Sequence, residues 1–173
     1  LARYFLPSVD EWYKAAYYDP TSGAYFDYPT GSDSAPTAVA SGTAARTAVF
    51  GQAFATGPAD ISLAGGLSPY ATMGQGGNVA EWEETDYDLV NSSSSSARGI
   101  RGGDWNNSSG VLRASIRIDV NPTFEFGGGN GFRVARIPEP STLLLLCFGS
   151  LAALWRRRAL GKPPRRVRLE CLQ

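Results

Sequence analysis

Gly77-Asn78-Val79-Ala80-Glu81-Trp82, Arg101-Gly102-Gly103-Asp104-Trp105 and Gly131-Phe132-Arg133-Val134 decide the fold of this chain. Each run joins glycines, which reach backbone angles closed to other residues, to an aromatic or charged side chain that can anchor a loop. Their order, more than any one of them, carries the information. Between them lies turn-rich sequence, including a serine run at residues 92–96 that reads as a solvated loop.

Ahead of these runs the clearest element is a helix predicted over residues 8–17. Ser8 and Glu11, three apart, make a capping box that satisfies orphan N–H groups at a helix start. Val9, Trp12, Tyr13 and Ala16 fall at i, i+3, i+4 and i+7 and give one apolar face. From Asp19 to Gly66 the chain is mostly Pro, Gly, Thr, Ser and Ala. Asp19-Pro20-Thr21-Ser22-Gly23 and Pro29-Thr30-Gly31 signal turns, and Thr47-Ala48-Val49-Phe50 a short strand. Residues 111–118 read equally as a strand or a short helix.

The 20 glycines and 11 prolines, beside 4 Trp, 8 Tyr and 8 Phe, describe a loop-rich body built on large flat side chains. At 173 residues there is room for one domain. Residues 1–155 hold nine basic and fifteen acidic groups, a net of −6, against seven basic and one acidic from Arg156 onward. An acidic body argues against nucleic acid as a partner. The chain has no histidine, and Cys147 and Cys171 both lie beyond the body. A Ser-His-Asp triad, a Cys-His dyad, a histidine-held metal and a body disulfide framework are therefore excluded. What remains for a site is carboxylates, amides, hydroxyls, guanidinium groups, Lys14 and the backbone.

Taken in order, the three runs resemble the formylglycine-generating-enzyme (sulfatase-modifying-factor) family, over residues 1–136. The resemblance implies an α+β, C-type-lectin-like fold with little regular secondary structure. It bears on fold more than on function, because functions are grafted onto folds by site residues. The opening Arg3-Tyr4-Phe5-Leu6-Pro7-Ser8 is similar to the middle of the family domain, which implies a fragment or processed product truncated at its N-terminus.

For the first run the resemblance implies a calcium ion held by the Gly77 and Val79 carbonyls and the Glu81 carboxylate. Calcium suits such a site because it takes roughly six to eight oxygen ligands in flexible geometry. The family supplies an Asn or Asp three residues before the Gly77 position; Gly74 stands there and removes a side-chain oxygen. The alternative is that Asn78 caps a turn while Glu81 pairs with an arginine. Ala80 stands where the family commonly has tryptophan, which implies a smaller local core. The acids that follow, Glu83, Glu84, Asp86 and Asp88, read as a solvated run.

In the family's oxidase branch two copper-binding cysteines follow Arg-Gly-Gly closely. Residues 104–113 contain none, and a soft Cu(I) ion needs thiolates or thioethers. No copper is expected, no catalytic residue is assigned, and conversion of a sulfatase cysteine to formylglycine should fail. Another branch uses the same region as a ligand-binding surface, for which Asn106, Asn107, Arg113, Arg117 and Asn121 are the candidates here. The competing reading makes Trp105 core, pairs the arginines with acids and gives the asparagines to turns. Gly131-Phe132-Arg133-Val134-Ala135 reads as an apolar strand entering the core, closed by an arginine that pairs with an acid. The expected role is non-catalytic binding of an extracellular polysaccharide or protein. A formylglycine-generating oxidase is the alternative.

Pro138-Glu139-Pro140, in a linker over 137–141, ends the domain. Residues 142–155 are uncharged and mostly apolar, with Leu143, Leu144, Leu145, Leu146 and Trp155, and lead directly into Arg156, Arg157 and Arg158. As a helix this stretch spans about 21 Å, short of a hydrocarbon core of about 30 Å. By length alone it reads as a buried or signal-like helix. The succession of Pro-Glu-Pro, apolar helix and arginine cluster resembles the bacterial PEP C-terminal sorting signal. That resemblance implies an exported protein of the envelope or exterior, anchored at least transiently by a helix over 142–158. Its arginines would stay cytoplasmic, and its partner would be the membrane's sorting and processing machinery. Residues 159–173 are a basic tail.

Overall fold

The Ser8–Glu11 capping box forms as its spacing predicts. The Glu11 amide donates to Ser8 Oγ and the Ser8 amide to Glu11 Oε2, at 3.4 and 2.9 Å. The computed structural model describes residues 3–124 and 128–136. After β1 (Tyr4–Phe5), α1 runs over Val9–Tyr17 and buries Trp12, Ala16 and Tyr17. The buried stripe reaches one residue beyond the predicted face, because Tyr17 sends its hydroxyl inward to the Leu112 carbonyl at 3.1 Å.

Two short ribbons follow: β2 (Tyr18–Asp19) antiparallel to β3 (Ala24–Tyr25), and β4 (Thr37–Val39) parallel to β5 (Thr47–Val49). β5 is the short strand expected at Thr47. A longer central sheet combines β6 (Ala80–Asp86), β7 (Arg98–Arg101), β8 (Ile118–Val120) and β9 (Asn130–Gly131) in the order β8-β7-β6-β9. Its β6–β9 edge is parallel and its other pairings are antiparallel. β10 (Ala135–Arg136) returns to pair antiparallel with β1, Tyr4 opposite Arg136. The architecture is α+β and sheet-rich, with one α-helix among the described residues.

Residues 111–118 are neither a strand nor a helix. The segment splits into the end of a 3-10 turn over Ser109–Leu112 and the start of β8 at Ile118. Side-chain chemistry holds the part between: the Ala114 and Ile116 carbonyls accept from Arg101 Nη1 at 2.9 and 2.7 Å. Donors borrowed from an arginine replace a ladder, so periodicity had nothing to report.

Among the described residues three small clusters make the core: Trp12, Ala16, Tyr17 and Ala114; Tyr28, Ala48, Phe50 and Leu112; and Ala80, Ile100 and Val120 with Trp82 packed against them. The three glycine-rich runs meet among these clusters. The Gly77 amide donates to the Gly102 carbonyl at 2.8 Å, the Trp105 amide to the Asn78 carbonyl at 3.1 Å, and the Ala80 amide to the Gly129 carbonyl at 2.8 Å. Gly77 sits at φ 75°, and a Cβ there would collide with the Val49 carbonyl. That close approach is why the first run needs its glycine.

Leu1–Arg136 form one compact unit. The hydrophobic stretch with Leu143, Leu144, Leu145, Leu146, Trp155 and the three arginines lies outside the described residues. No described helix is long and apolar enough to cross a membrane.

Candidate functional site

β6 carries the chemistry of this domain: alternation along it turns Glu81 and Glu83 to one interior face, and the third buried carboxylate, Asp86, follows a register shift between Trp82 and Asp86. Glu81, Glu83 and Asp86 are 3%, 1% and 0% exposed. The solvated acidic run expected here is therefore corrected at Glu83 and Asp86, while Glu84 and Asp88 do face water. A buried carboxylate must find donors or lose its charge, and each of these finds an arginine from another part of the chain.

Glu83 holds two. Arg101 Nε donates to its Oε1 at 2.8 Å and Arg117 Nε to its Oε2 at 2.7 Å. Arg117 spends its remaining donors on the Thr85, Asp86 and Tyr87 carbonyls, and Tyr87 lies over its guanidinium at 5.2 Å. Asp86 pairs with Arg98 and accepts from the Ser92 amide at 3.1 Å. Together these contacts fasten β6, β7 and the segment leading into β8.

Glu81 joins α1 to the last of the three runs. Arg133 approaches it side-on, Nε to Oε2 at 2.5 Å and Nη2 to Oε1 at 2.6 Å, while the Trp12 indole donates to Oε2 at 2.7 Å. Of the two readings of Glu81, the arginine pair is the one observed. Its carboxylate faces a guanidinium, Gly74 and Gly76 bring no side-chain oxygen, and no trio of acidic, cysteine or histidine side chains suited to a metal occurs among the described residues. Two carbonyls, at Gly77 and Val79, and one shared carboxylate fall well below the roughly six oxygens calcium takes.

Arg133 faces inward, so its neighbours face out. Phe132 and Val134 are 69% and 57% exposed. The apolar strand expected to enter the core is corrected here; the arginine enters and the apolar residues line a surface groove with Tyr4, Phe5, Leu6 and Trp82.

The five candidate ligand residues serve separate local tasks. The Asn106 side chain donates to the Gln52 carbonyl at 2.8 Å, and Asn107 Oδ1 accepts from the Asp104 amide at 3.0 Å. Both asparagine amides donate to Asp104 Oδ1, so these two share one turn. Arg113 donates to the Tyr28 hydroxyl at 3.0 Å, and that contact holds its guanidinium above its usual range. Arg117 belongs to Glu83, and Asn121 caps the turn to Thr123. Asn106, Arg113 and Asn121 are exposed; Asn107 and Arg117 are half-buried. Trp105 is core, with its indole bonded to the Phe54 carbonyl at 3.1 Å.

Sequence reasoning did not find the Glu83–Arg101–Arg117 unit. Its members lie 18 and 34 positions apart, and nothing local ties them.

A family model for the sulfatase-modifying factor enzyme 1-like domain matches residues 1–138. The chain belongs to the sulfatase-modifying factor family. A second model, the PEP-CTERM protein-sorting motif, matches residues 136–158 and marks the protein for export to the cell envelope and for processing by sorting machinery. Among solved structures, variable protein 1 of Treponema denticola is similar over 78% of this chain, with a TM-score of 0.54 and 21% identity. That likeness shows a shared fold. The chain spans 48% of the length of that structure. No curated protein matches it. In this member of the sulfatase-modifying factor family, the glycine-rich runs thus serve as junctions between elements, and its ionic side chains as internal struts.

Proposed function

We propose that this protein is an exported recognition domain on a C-type-lectin-like scaffold, binding a polysaccharide or protein ligand outside the cell without catalysis. One observation carries the reading: the stretch after Arg101-Gly102-Gly103 has no cysteine, and both cysteines of the chain lie beyond residue 138. The oxidase chemistry of relatives needs soft sulfur ligands. Here the corresponding turn holds Asn106 and Asn107, and neither can supply them.

The arrangement of charge agrees. The described arginine–carboxylate pairs are geometrically engaged and half-buried or deeper, as a rigid scaffold needs. The described residues include neither cysteine nor histidine, so they supply no thiol nucleophile and no imidazole base for covalent catalysis. The sorting motif supports a place of work outside the cytoplasm.

The test is to incubate the full chain with copper, oxygen and a sulfatase-motif peptide and to look for the aldehyde by mass spectrometry. No aldehyde above a no-enzyme control is the expected result. Turnover above that control would establish the oxidase reading instead.

A further inference from the structure

We infer that Tyr18, Tyr25 and Tyr70, edged by Lys14, form a binding platform for an acidic polysaccharide. The inference rests on the recognition reading above and names its ligand class and its surface.

The platform follows from the β2–β3 ribbon. Tyr18 and Tyr25 are cross-strand partners, so both side chains stand on one face, with ring centroids 4.9 Å apart. Tyr70 extends the row, 6.1 Å from Tyr18, and Tyr13 backs it, 5.5 Å from Tyr25. Tyr25 is 52% exposed and Tyr70 40%. The centroid spacings are close to the length of one pyranose unit.

The hydroxyls separate this row from a packing cluster. Tyr17 and Tyr28, which do pack in the core, have their hydroxyls bonded to the Leu112 carbonyl and to Arg113. No hydrogen bond within the protein reaches the hydroxyls of Tyr18, Tyr25 or Tyr70 among the described residues. A tyrosine so placed offers a flat apolar face and a free polar tip at small entropic cost, matching a sugar ring's C–H face and its hydroxyls.

Charge selects the kind of sugar. The Lys14 ammonium lies 5.5 Å from the Tyr18 ring centroid, and no carboxylate forms an ion pair with it among the described residues. Asp10, one turn back, makes no pair with it, and Glu11 is folded onto Ser8. Asp19 is Tyr18's neighbour on the strand, so it points to the other face, where the Thr21 amide holds it at 2.8 Å. Glu81, Glu83 and Asp86 are already neutralised by arginines. The row therefore carries a local uncompensated cation on an acidic protein, which a uronate carboxylate complements. Charges beyond about 8 Å are screened at physiological salt.

Affinity electrophoresis of the full chain in mild non-ionic detergent tests this, in native gels containing alginate, a polyuronate, or dextran, a neutral glucan. Gels without polysaccharide correct for intrinsic mobility, and circular dichroism checks that each variant is folded. Alginate should retard the native protein, and the double variant Tyr25→Ala/Tyr70→Ala should lose about tenfold in apparent affinity. Lys14→Gln should weaken binding by a few-fold and flatten its salt dependence. Equal retardation of native and variant proteins would overturn the platform while leaving recognition standing. Retardation by dextran alone would overturn the acidic ligand, and no retardation by alginate would overturn the inference outright. Aldehyde formation in the copper assay would instead remove the recognition reading itself, so the two failures are told apart.

Discussion

Arg117 reaches Glu83 across the backbone of Gly99, and only a glycine leaves room for the pair. A Cβ at position 99 would collide with both Glu83 Oε2 and Arg117 Nε. Gly99 lies on β7, opposite Asp119 of β8, so the arginine crosses the sheet where a side chain would normally stand.

Gly99→Ala should therefore act like removal of the pair itself. Both Gly99→Ala and Glu83→Gln should destabilise the domain by about 3 to 5 kcal/mol, the range for breaking a buried ion pair on one side. Urea unfolding followed by tryptophan fluorescence reads the loss. Glu84→Gln, on the solvent side of the same strand, should stay within about 0.5 kcal/mol of the native protein.

Tyr17 gives the fold an alkaline limit. Burial pushes its phenol well above the ordinary range, against a smaller opposite pull from Arg101. The native state therefore keeps a proton that the unfolded chain gives up near pH 10. Stability is full below that pH and falls as pH rises through it, since the native state then binds more protons than the unfolded one. Melting temperature measured from pH 8 to 11 should drop at the top of that range, and Tyr17→Phe should flatten the drop. The variant should lose about 1 kcal/mol at neutral pH with the bond to the Leu112 carbonyl.

With Arg133 against Glu81, the domain should melt at the same temperature in calcium and in chelator, because only a ligand that binds the folded state raises the midpoint. Arg133→Met removes one partner of a nearly buried carboxylate and should cost about 3 kcal/mol. A rise of several degrees in saturating calcium would return Glu81 to the metal.

Deleting residues 141–158 removes most of the matched sorting motif. The shortened protein should leave the envelope fraction and accumulate elsewhere on cell fractionation. An unchanged distribution would mean that the motif does not direct this chain.

What the sequence made legible was local. Ser8 and Glu11 are three residues apart and announced the helix because a capping box is a short-range device. The glycine-rich runs announced the fold because each needs a backbone geometry that few residues permit, as Gly77 does against the Val49 carbonyl. The unread part was long-range. Whether Glu83 and Asp86 meet water or an arginine depends on where Arg98, Arg101 and Arg117 arrive after folding, and an acidic run looks the same in either case. Phe132 and Val134 misled for a related reason: alternation gives one face to Arg133 and the other to them, and only the position of Glu81 decides which face is interior. The site residues fared similarly. Asn106 and Asn107 are adjacent and act as a unit, whereas Arg113, Arg117 and Asn121 are drawn to different partners.

The antiparallel pairing of Tyr4 with Arg136 and of Phe5 with Ala135 ties the first described strand to the last. Tension applied through the C-terminal extension would thus load this two-residue ladder first. Because the strands run in opposite directions from neighbouring ends, the bonds would open one after another, like a zipper, instead of sharing the load in shear. Mechanical handling of the tail would peel away β10 while the arginine struts behind β6 stayed locked.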